Sequence, residues 1–452
     1  MEISRKEKWC ERIFVLVILG FVFAWAVIQP YNSSPDEGMR YDLIQYIYEN
    51  NTLPRGDDPA IRNEMWGISY GFNPYLSGLI SVFFMKIAGI FTDNGQVLLI
   101  AARMTGVFCI AGLTLLAIKI SRSLFSGLSK WVFVSLIALL PEVLFLGSYL
   151  NNDSLALLST AWIIYIWTRV MKEGWTWKNC ITLGIAISVC TLSYYNAYGV
   201  ILCSILLFCI TILGCQEKKW DWKTLFGKGM VIAAIVGVLA GWWFVRNYII
   251  YDGDFLGMKT SNMSAQLYAI EELKPSNRVT PQSLGISIKH MLFGFLDVWG
   301  VNWTTTVFKS FIGVFGYMTI FMPGFIPKLY AVLYAIGIIG VVPAFRHMLG
   351  KGKDDQSGKT ECAFNWMMLL AAVIPVVLCF YYAYASDFQA QGRYIMPMLV
   401  PFIYYITKGY EYLLNHLIKN ETIRKFCYGI LILFAVSVSI YAYFGVFVPA
   451  YR

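Results

Sequence analysis

The stretch IFVLVILGFVFAWAVIQPYNSSPDEG, residues 13–38, joins an apolar run to a short polar segment that ends in two acids and a glycine. The apolar part, 13–29, is close to the length that an α-helix needs to cross a bilayer. Four Lys or Arg precede it within residues 1–12, and basic residues tend to stay on the cytoplasmic side. The pattern predicts a membrane anchor that brings the acids out on the opposite face.

The rest of the chain repeats the apolar pattern. Of 452 residues, 58% are hydrophobic and 14% are charged, against about 25% charged in soluble domains. This excludes a soluble enzyme and predicts an all-α polytopic membrane protein with one membrane-embedded domain over 1–452. Further apolar runs cover 72–91, 97–120, 131–149, 154–171, 179–195, 197–213, 228–246, 325–345, 363–384, 394–412 and 426–448.

The distribution of basic residues predicts the orientation. Five short stretches between apolar runs hold 18 Lys and Arg in total, namely 119–130, 169–178, 214–228, 346–362 and 408–425. All of them become cytoplasmic if 72–91 lies on the outer surface instead of crossing. We therefore expect eleven spans, a cytoplasmic N-terminus and an extracytoplasmic C-terminus. Ala24-Trp25-Ala26 resembles a signal-peptide cleavage site, but we expect the first helix to be retained for packing.

This topology leaves two long outer loops, 30–96 and 247–324. The first holds eight acidic and four basic residues, and its segment 37–50 spaces apolar residues along one side of a short helix. The second is aromatic and is expected to lie on the substrate side. Ten scattered cysteines without a C-x-x-C pair or a nearby His predict small core residues and no metal site.

Two acids, Asp36 and Glu37, follow the first span within eight residues. Desolvation beside a bilayer and repulsion between neighbouring carboxylates tend to raise one pKa, which suits a general base. The same segment, beginning at Ser34-Pro35, also has the composition of a helix start, with acids at the positive end of the helix dipole. Catalysis and a helix start both stay open for this pair.

Three more charged residues are expected on the same face. Asp153 follows the third span and is either a second catalytic acid or the N-cap of the next helix. Arg246 and Arg393 border later spans among aromatic residues, where they either bind a lipid phosphate or anchor the helices at the membrane interface.

Arg103 and Glu142 lie at matching depth inside two spans, which predicts a structural ion pair between them.

In order along the chain, these features resemble the GT-C superfamily of integral-membrane glycosyltransferases. SPDEGMRYD (34–42) resembles its acidic first outer loop, GFNPYLSGL (71–79) its proline-led surface segment, and ARMTGVFCIAGLTLLAIKISRSLFSGLSK (102–130) its Arg-containing second span. YLNNDSLALL (149–158) resembles the second acidic site. GWWFVRNYIIYDGDFLG (241–257) and QGRYIMPMLVPF (391–402) are similar to later segments. The nearest branch is bacterial and largely uncharacterised, related to protein O-mannosyltransferases and to the transferase that adds aminoarabinose to lipid A.

The resemblance implies a GT-C bundle with juxtamembrane helices in the first outer loop. It implies transfer of a sugar from a polyprenyl phosphate to an acceptor hydroxyl of a glycan, lipid or protein, with inversion. Asp36 or Glu37 matches the catalytic acid of the first loop, Asp153 the second acid, and Arg246 and Arg393 the phosphate-binding cations. One departure is Asn73 before Pro74, where relatives often carry Lys or His.

The resemblance establishes no cofactor and leaves a divalent cation open. Membrane lipids are expected partners and nucleic acid is not. A bacterial plasma membrane is the expected location. Two other functions remain: a flippase or transporter for lipid-linked saccharides, and a non-catalytic envelope assembly protein. Few ionisable residues line the spans, and no nucleotide-binding loop is present, so an ATP-driven pump is not indicated.

Overall fold

The computed structural model describes residues 4–215, 220–349 and 355–452, and its regular structure is almost entirely helical. The helices are α1 (Arg5–Ile28), α2 (Glu37–Asn50), α3 (Leu76–Gly89), α4 (Gly95–Leu124), α5 (Ser129–Ala138), α6 (Pro141–Leu146), α7 (Asp153–Glu173), α8 (Trp177–Thr191), α9 (Tyr198–Gly214), α10 (Trp222–Leu239), α11 (Gly241–Ile250), α12 (Met258–Tyr268), α13 (Ile288–Phe293), α14 (Trp303–Gly313), α15 (Phe325–Met348), α16 (Gln356–Ala385), α17 (Leu399–Leu417), α18 (Glu421–Tyr441) and α19 (Val448–Tyr451). Strands β1 (Val314–Phe315) and β2 (Ile320–Phe321) form a small antiparallel hairpin. The all-α membrane class predicted from the sequence is confirmed.

Eight helical segments of the described ranges are long and apolar enough to cross a membrane. They are Arg5–Ile28, Gly95–Leu124, Asp153–Glu173, Tyr195–Gly214, Trp222–Leu239, Phe325–Phe345, Gln356–Ala385 and Glu421–Tyr451. Of the other three predicted spans, 131–149 is interrupted at Pro141 between α5 and α6, and 179–195 coincides with α8, which has 15 residues. The third, 394–412, begins within a 3₁₀ turn (Gly392–Met398) and continues into α17, which has 19 residues but is not among the eight apolar segments. Eleven crossings therefore stay a prediction.

Helix α3 covers most of the segment 72–91 that the charge distribution places on the outer surface. It has 14 residues, which at about 1.5 Å per residue is roughly 21 Å, shorter than the ~30 Å apolar core of a bilayer. Its length agrees with a surface helix.

Small residues let two long helices approach closely. A Cβ atom on Gly409 of α17 would collide with the backbone carbonyl of Gly337 on α15, and one on Gly340 would collide with the carbonyl of Gly409. Such contacts replace the hydrophobic driving force that a lipid environment cannot supply. These close contacts fix the position of α17 against α15, and α17 directly follows the 3₁₀ turn Gly392–Met398.

An aromatic cluster joins the first helix to the second long loop and to the C-terminal segment. The ring of Trp25, which is fully buried, lies 5.2 Å from that of Phe315 in β1 and 4.2 Å from that of Phe447, measured between centroids. The hairpin is therefore held beside the end of α1, next to the segment that carries the two acids.

Candidate active site

Asp36 lies at the start of α2 and is bound by an arginine from the far end of the chain. Its Oδ2 accepts a 2.8 Å hydrogen bond from Nη2 of Arg393. The backbone of Asp36 has φ of 65°, a left-handed conformation that non-glycine residues rarely adopt, and its side chain caps no backbone N–H of the helix. The carboxylate is 29% exposed. Asp36 occupies the N-cap position, but its side chain serves the contact with Arg393.

Arg393 owes its position to the residue before it. A Cβ atom on Gly392 would collide with the backbone of Phe311 in α14, and the N–H of Gly392 donates to Oγ of Ser310. Nε of Arg393 donates to Oε1 of Gln391 at 2.7 Å. Glycine thus allows α14 to pack directly against the segment that carries the guanidinium.

Asp153 is the second acid of the site. It is the first residue of α7, its side chain is 3% exposed, and its Oδ2 lies 4.0 Å from Nη1 of Arg393. Asp153 is not the cap of the helix, because Oδ1 of Asn151 accepts the N–H of Ser154 at 2.9 Å. Within the described ranges, neither Oδ2 of Asp153 nor Nη1 of Arg393 has a hydrogen-bond partner. Both buried atoms therefore keep hydrogen-bonding capacity that the described residues do not use.

A second arginine, Arg40, belongs to this site and was missed by the sequence reasoning. It is 6% exposed, and its guanidinium lies 3.9 Å from the ring centroid of Tyr70. Its Nε and Nη2 have no hydrogen-bond partner among the described residues, and it borders a cavity of about 20 Å³, large enough for about one water. The spacing of four residues from Asp36, one helical turn, is the signal that could have identified it.

The two arginines determine the charge state of Asp36. Burial alone would raise its pKa, but the charges of Arg393 and Arg40, with hydrogen bonds from Arg393 and Tyr70, hold the pKa below its ordinary value of 3.8. Burial alone would lower the pKa values of Arg40 and Arg393, but the neighbouring hydroxyls of Tyr70 and Tyr394, followed by the carboxylate of Asp36, raise them. Our expectation that an acidic pair raises its own pKa does not hold for Asp36, because each carboxylate of the pair has its own arginine.

Glu37 has a structural role. Its Oε1 and Oε2 accept 2.8 Å hydrogen bonds from Nε and Nη2 of Arg103, and both side chains are almost completely buried. Nη1 of Arg103 also donates to the backbone carbonyls of Ala26 and Gln29, where α1 ends. With both oxygens engaged, Glu37 is a poor candidate for a base.

The predicted ion pair between Arg103 and Glu142 is wrong. The donors of Arg103 are taken by Glu37 and by the carbonyls at the end of α1, including that of Pro30. Glu142, which is 3% exposed, instead accepts a 3.2 Å hydrogen bond from the backbone N–H of Val314 in β1. Equal depth in the membrane did not predict the partner of Arg103. The first outer loop folds back and places the carboxylate of Glu37 beside it.

Arg246 lies apart from the acids. Its Nη2 donates to the carbonyl of Pro54 at 2.7 Å, and its guanidinium lies 5.4 Å from the ring of Trp243. Among the described residues, no hydrogen bond or ion pair joins it to Asp36, Asp153 or Arg393. Arg246 thus joins the first outer loop to α11 and lies outside the group formed by Asp36, Asp153 and Arg393.

The aromatic residues of the second loop divide between the core and the exposed surface. Trp303 is 3% exposed and donates its indole N–H to the carbonyl of Gln389 at 2.9 Å, and Phe315 is fully buried. Tyr317, at the tip of the hairpin, is half exposed and its hydroxyl donates to the carbonyl of Asn32 at 2.9 Å. Of these three side chains, only that of Tyr317 is free to face a substrate.

The site can perform acid–base chemistry on an anionic substrate. A partly exposed carboxylate can accept a proton, and N–H groups of two buried guanidiniums that have no partner among the described residues can donate hydrogen bonds to an anion. Among the described residues, no group of three His, Cys, Asp or Glu side chains is arranged to hold a metal ion.

Comparison with known proteins identifies the family. Residues 75–402 match the family described as "Predicted membrane protein (DUF2142)". The matched range contains Asp153, Arg246 and Arg393, whereas Asp36 precedes it. No curated protein matches the chain.

The fold is similar to solved structures of an oligosaccharyltransferase from the archaeon Archaeoglobus fulgidus. The AglB complex with an inhibitory peptide and a dolichol-phosphate has 13% identity and a TM-score of 0.57, over 96% of this chain and 56% of that chain. The apo form has 14% identity and a TM-score of 0.55, over 97% and 55%. A form tethered to an acceptor peptide has 14% identity and a TM-score of 0.55, over 96% and 55%.

The chain spans just over half the length of these archaeal proteins. Their architecture is the GT-C fold expected from the sequence, and the apolar helices and the family match agree that the chain is an integral membrane protein. The chain belongs to the DUF2142 family of predicted membrane proteins and has a GT-C fold.

Proposed function

We propose that this protein is a glycosyltransferase that moves a sugar from a polyprenyl-phosphate carrier to an acceptor hydroxyl on the extracytoplasmic face. The observation that carries the proposal is the pairing of the partly exposed Asp36 with Arg393, beside the buried Asp153, within a GT-C fold. The similar archaeal protein was solved with a dolichol-phosphate, which supports a lipid-linked donor. A glycan, a lipid or a protein supplies the hydroxyl.

In this proposal Asp36 is the base and Glu37 is not. The carboxylate of Asp36 is the exposed member of the cluster, so an acceptor can reach it. Asp153 is enclosed beneath Arg393 and holds the guanidinium in place through charge. The low pKa of Asp36 keeps it ionised at neutral pH, and it receives the proton only as the hydroxyl becomes acidic in the transition state.

The donor phosphate is assigned to Arg393 and Arg40. Nη1 of Arg393 and Nε and Nη2 of Arg40 are buried and without partners among the described residues, and a phosphate diester offers acceptor oxygens for them. Arg40 also supplies the positive charge that Asn73 cannot. Arg246, engaged with Pro54, is given no part in phosphate binding.

The reaction is a single displacement. The acceptor oxygen forms a bond to the sugar C1 while its proton moves to Asp36. The bond from C1 to the phosphate oxygen breaks on the opposite side, its electron pair leaves with polyprenyl phosphate, and the configuration at C1 inverts. Negative charge grows on the leaving phosphate, so preorganised guanidiniums stabilise the transition state more than the bound donor.

The test is donor consumption by the purified protein in detergent micelles. Polyprenyl-phosphate sugars from the source membranes are incubated with the protein and an envelope fraction as acceptor, and the released polyprenyl phosphate is quantified by mass spectrometry. Release with loss of the sugar from the lipid supports transfer. A flippase leaves the donor intact, since micelles have no two sides, and an assembly protein does the same. An intact donor after incubation contradicts the proposal.

A further inference from the structure

The side chain of Arg393 lies between the carboxylates of Asp36 and Asp153, which are far apart in the sequence. Nη2 is 2.8 Å from Oδ2 of Asp36, and Nη1 is 4.0 Å from Oδ2 of Asp153. Two carboxylates that converge on one cation are an arrangement in which proteins also hold Mg²⁺ or Mn²⁺, which prefer oxygen ligands at short distance. In this chain the cation between the two carboxylates is the guanidinium of Arg393.

The surroundings of the pair disfavour a metal ion. Arg40 is a second buried positive charge that acts on both Asp36 and Asp153, so two acids already face two arginines. A divalent ion placed between the acids would have to displace Arg393, whose side chain is 5% exposed, against repulsion from both guanidiniums. No third acidic, His or Cys ligand is grouped with them among the described residues.

We propose that Arg393 occupies the position of a divalent cation, so that the intact site binds no such ion and the protein works without one. The consequence for catalysis rests on the proposed function, whereas the binding claim does not. Removal of the guanidinium leaves Asp36 and Asp153 without the cation that lies between them, and the two carboxylates then outnumber the one remaining arginine, Arg40. This vacated pair is expected to take up a divalent ion that the wild-type site rejects.

The binding experiment uses Mn²⁺ and electron paramagnetic resonance, in which free Mn²⁺ gives the signal and bound Mn²⁺ removes it. Wild-type protein and the matched control Arg246→Ala, which removes a guanidinium away from the acids, are expected to leave the signal unchanged. Arg393→Ala is expected to bind a single equivalent, and Arg393→Ala with Asp153→Asn to bind none. If Arg393→Ala does not fold, Arg393→Gln, which removes the charge and retains hydrogen-bonding groups, replaces it.

Two results overturn the proposal. One is uptake of an equivalent of Mn²⁺ by the wild type that Asp36→Asn abolishes. The other is a folded Arg393 variant that binds no Mn²⁺. A separate arm measures donor consumption after treatment with EDTA: unchanged consumption agrees with the proposal, and a loss that Mg²⁺ or Mn²⁺ restores contradicts it. If no donor is consumed under any condition, the proposed function fails while the Mn²⁺ titration still decides the binding claim.

Discussion

The guanidinium of Arg393 and the carboxylate of Asp36 are joined by a 2.8 Å hydrogen bond although 357 residues separate them in the chain. The contact joins the first outer loop to the segment before α17, and Asp153 lies 4.0 Å from the same guanidinium. Three distant parts of the sequence therefore meet at one group of charges, next to N–H groups of Arg40 that have no hydrogen-bond partner in the described ranges. This cluster is the basis of the predictions that follow.

Glu37→Gln is expected to destabilise the protein. The substitution leaves Arg103 buried without its counter-charge, and breaking a buried ion pair from one side costs about 3–5 kcal/mol. Asp36→Asn should cost much less, because its carboxylate is 29% exposed. Thermal unfolding in detergent compares the two variants. Equal midpoints for Glu37→Gln and the wild type would contradict the structural role of Glu37.

Arg393→Lys is expected to reduce transfer strongly, whereas Arg246→Lys should change it little. Lysine keeps the charge but cannot span Asp36 and Asp153 in the planar geometry of a guanidinium. Loss of one preorganised donor at a transition state typically costs about 10²–10³ in kcat. Steady-state kinetics with the polyprenyl-phosphate donor measure both variants. A greater loss for Arg246→Lys would restore Arg246 to the phosphate site, which the sequence analysis assigned to Arg246 and Arg393 together.

Arg40→Gln is expected to shift the pH dependence of transfer. The pKa of Asp36 lies below 3.8 because of Arg393 and Arg40, so wild-type activity should fall only as the pH drops through that low value. Removing the charge of Arg40 raises the pKa of Asp36, and the acidic limb of kcat/KM should move to higher pH. The stability that ionised Asp36 contributes is present above its unfolded pKa and is lost at the same low pH. An acidic limb that stays in place would exclude Asp36 as the titrating base.

Glu142→Leu should destabilise the β-hairpin, and Glu142→Gln should not. The amide oxygen of Gln can still accept the N–H of Val314, which Glu142 accepts at 3.2 Å. Leu leaves that buried N–H without an acceptor, at a cost of about 1–3 kcal/mol. Limited proteolysis and thermal unfolding provide the measurement. Loss of sugar transfer in a stable Glu142→Gln protein would assign Glu142 a chemical role.

Local patterns predicted the fold well, and long-range partners less well. The segment 37–50 is helical with the expected bounds, because its apolar spacing is a property of neighbouring residues. The run 131–149 is broken at Pro141, which an average of hydrophobicity over the run conceals. Which side of the membrane each loop faces stays a prediction.

The partners of charged residues depend on how the outer loops fold back, and sequence order does not specify this. Depth in the membrane paired Arg103 with the wrong acid, since Glu37 reaches it from the first outer loop. Asp36, Asp153 and Arg393 were identified as candidates from their places at the outer ends of the predicted spans, and the resemblance to the GT-C superfamily suggested their roles. Their convergence appears only in three dimensions, and Arg40 was missed although it lies one turn from Asp36 on the same helix.

The most direct test is sugar transfer by Asp36→Asn, measured with a labelled polyprenyl-phosphate sugar beside the wild type at equal amounts of folded protein. The amide keeps the shape of the side chain but cannot accept the proton, and loss of a general base typically lowers the rate by about 10²–10⁴. We predict a loss of this size with little change in the thermal midpoint. Transfer at the wild-type rate by folded Asp36→Asn protein would contradict the assignment of Asp36 as the catalytic base.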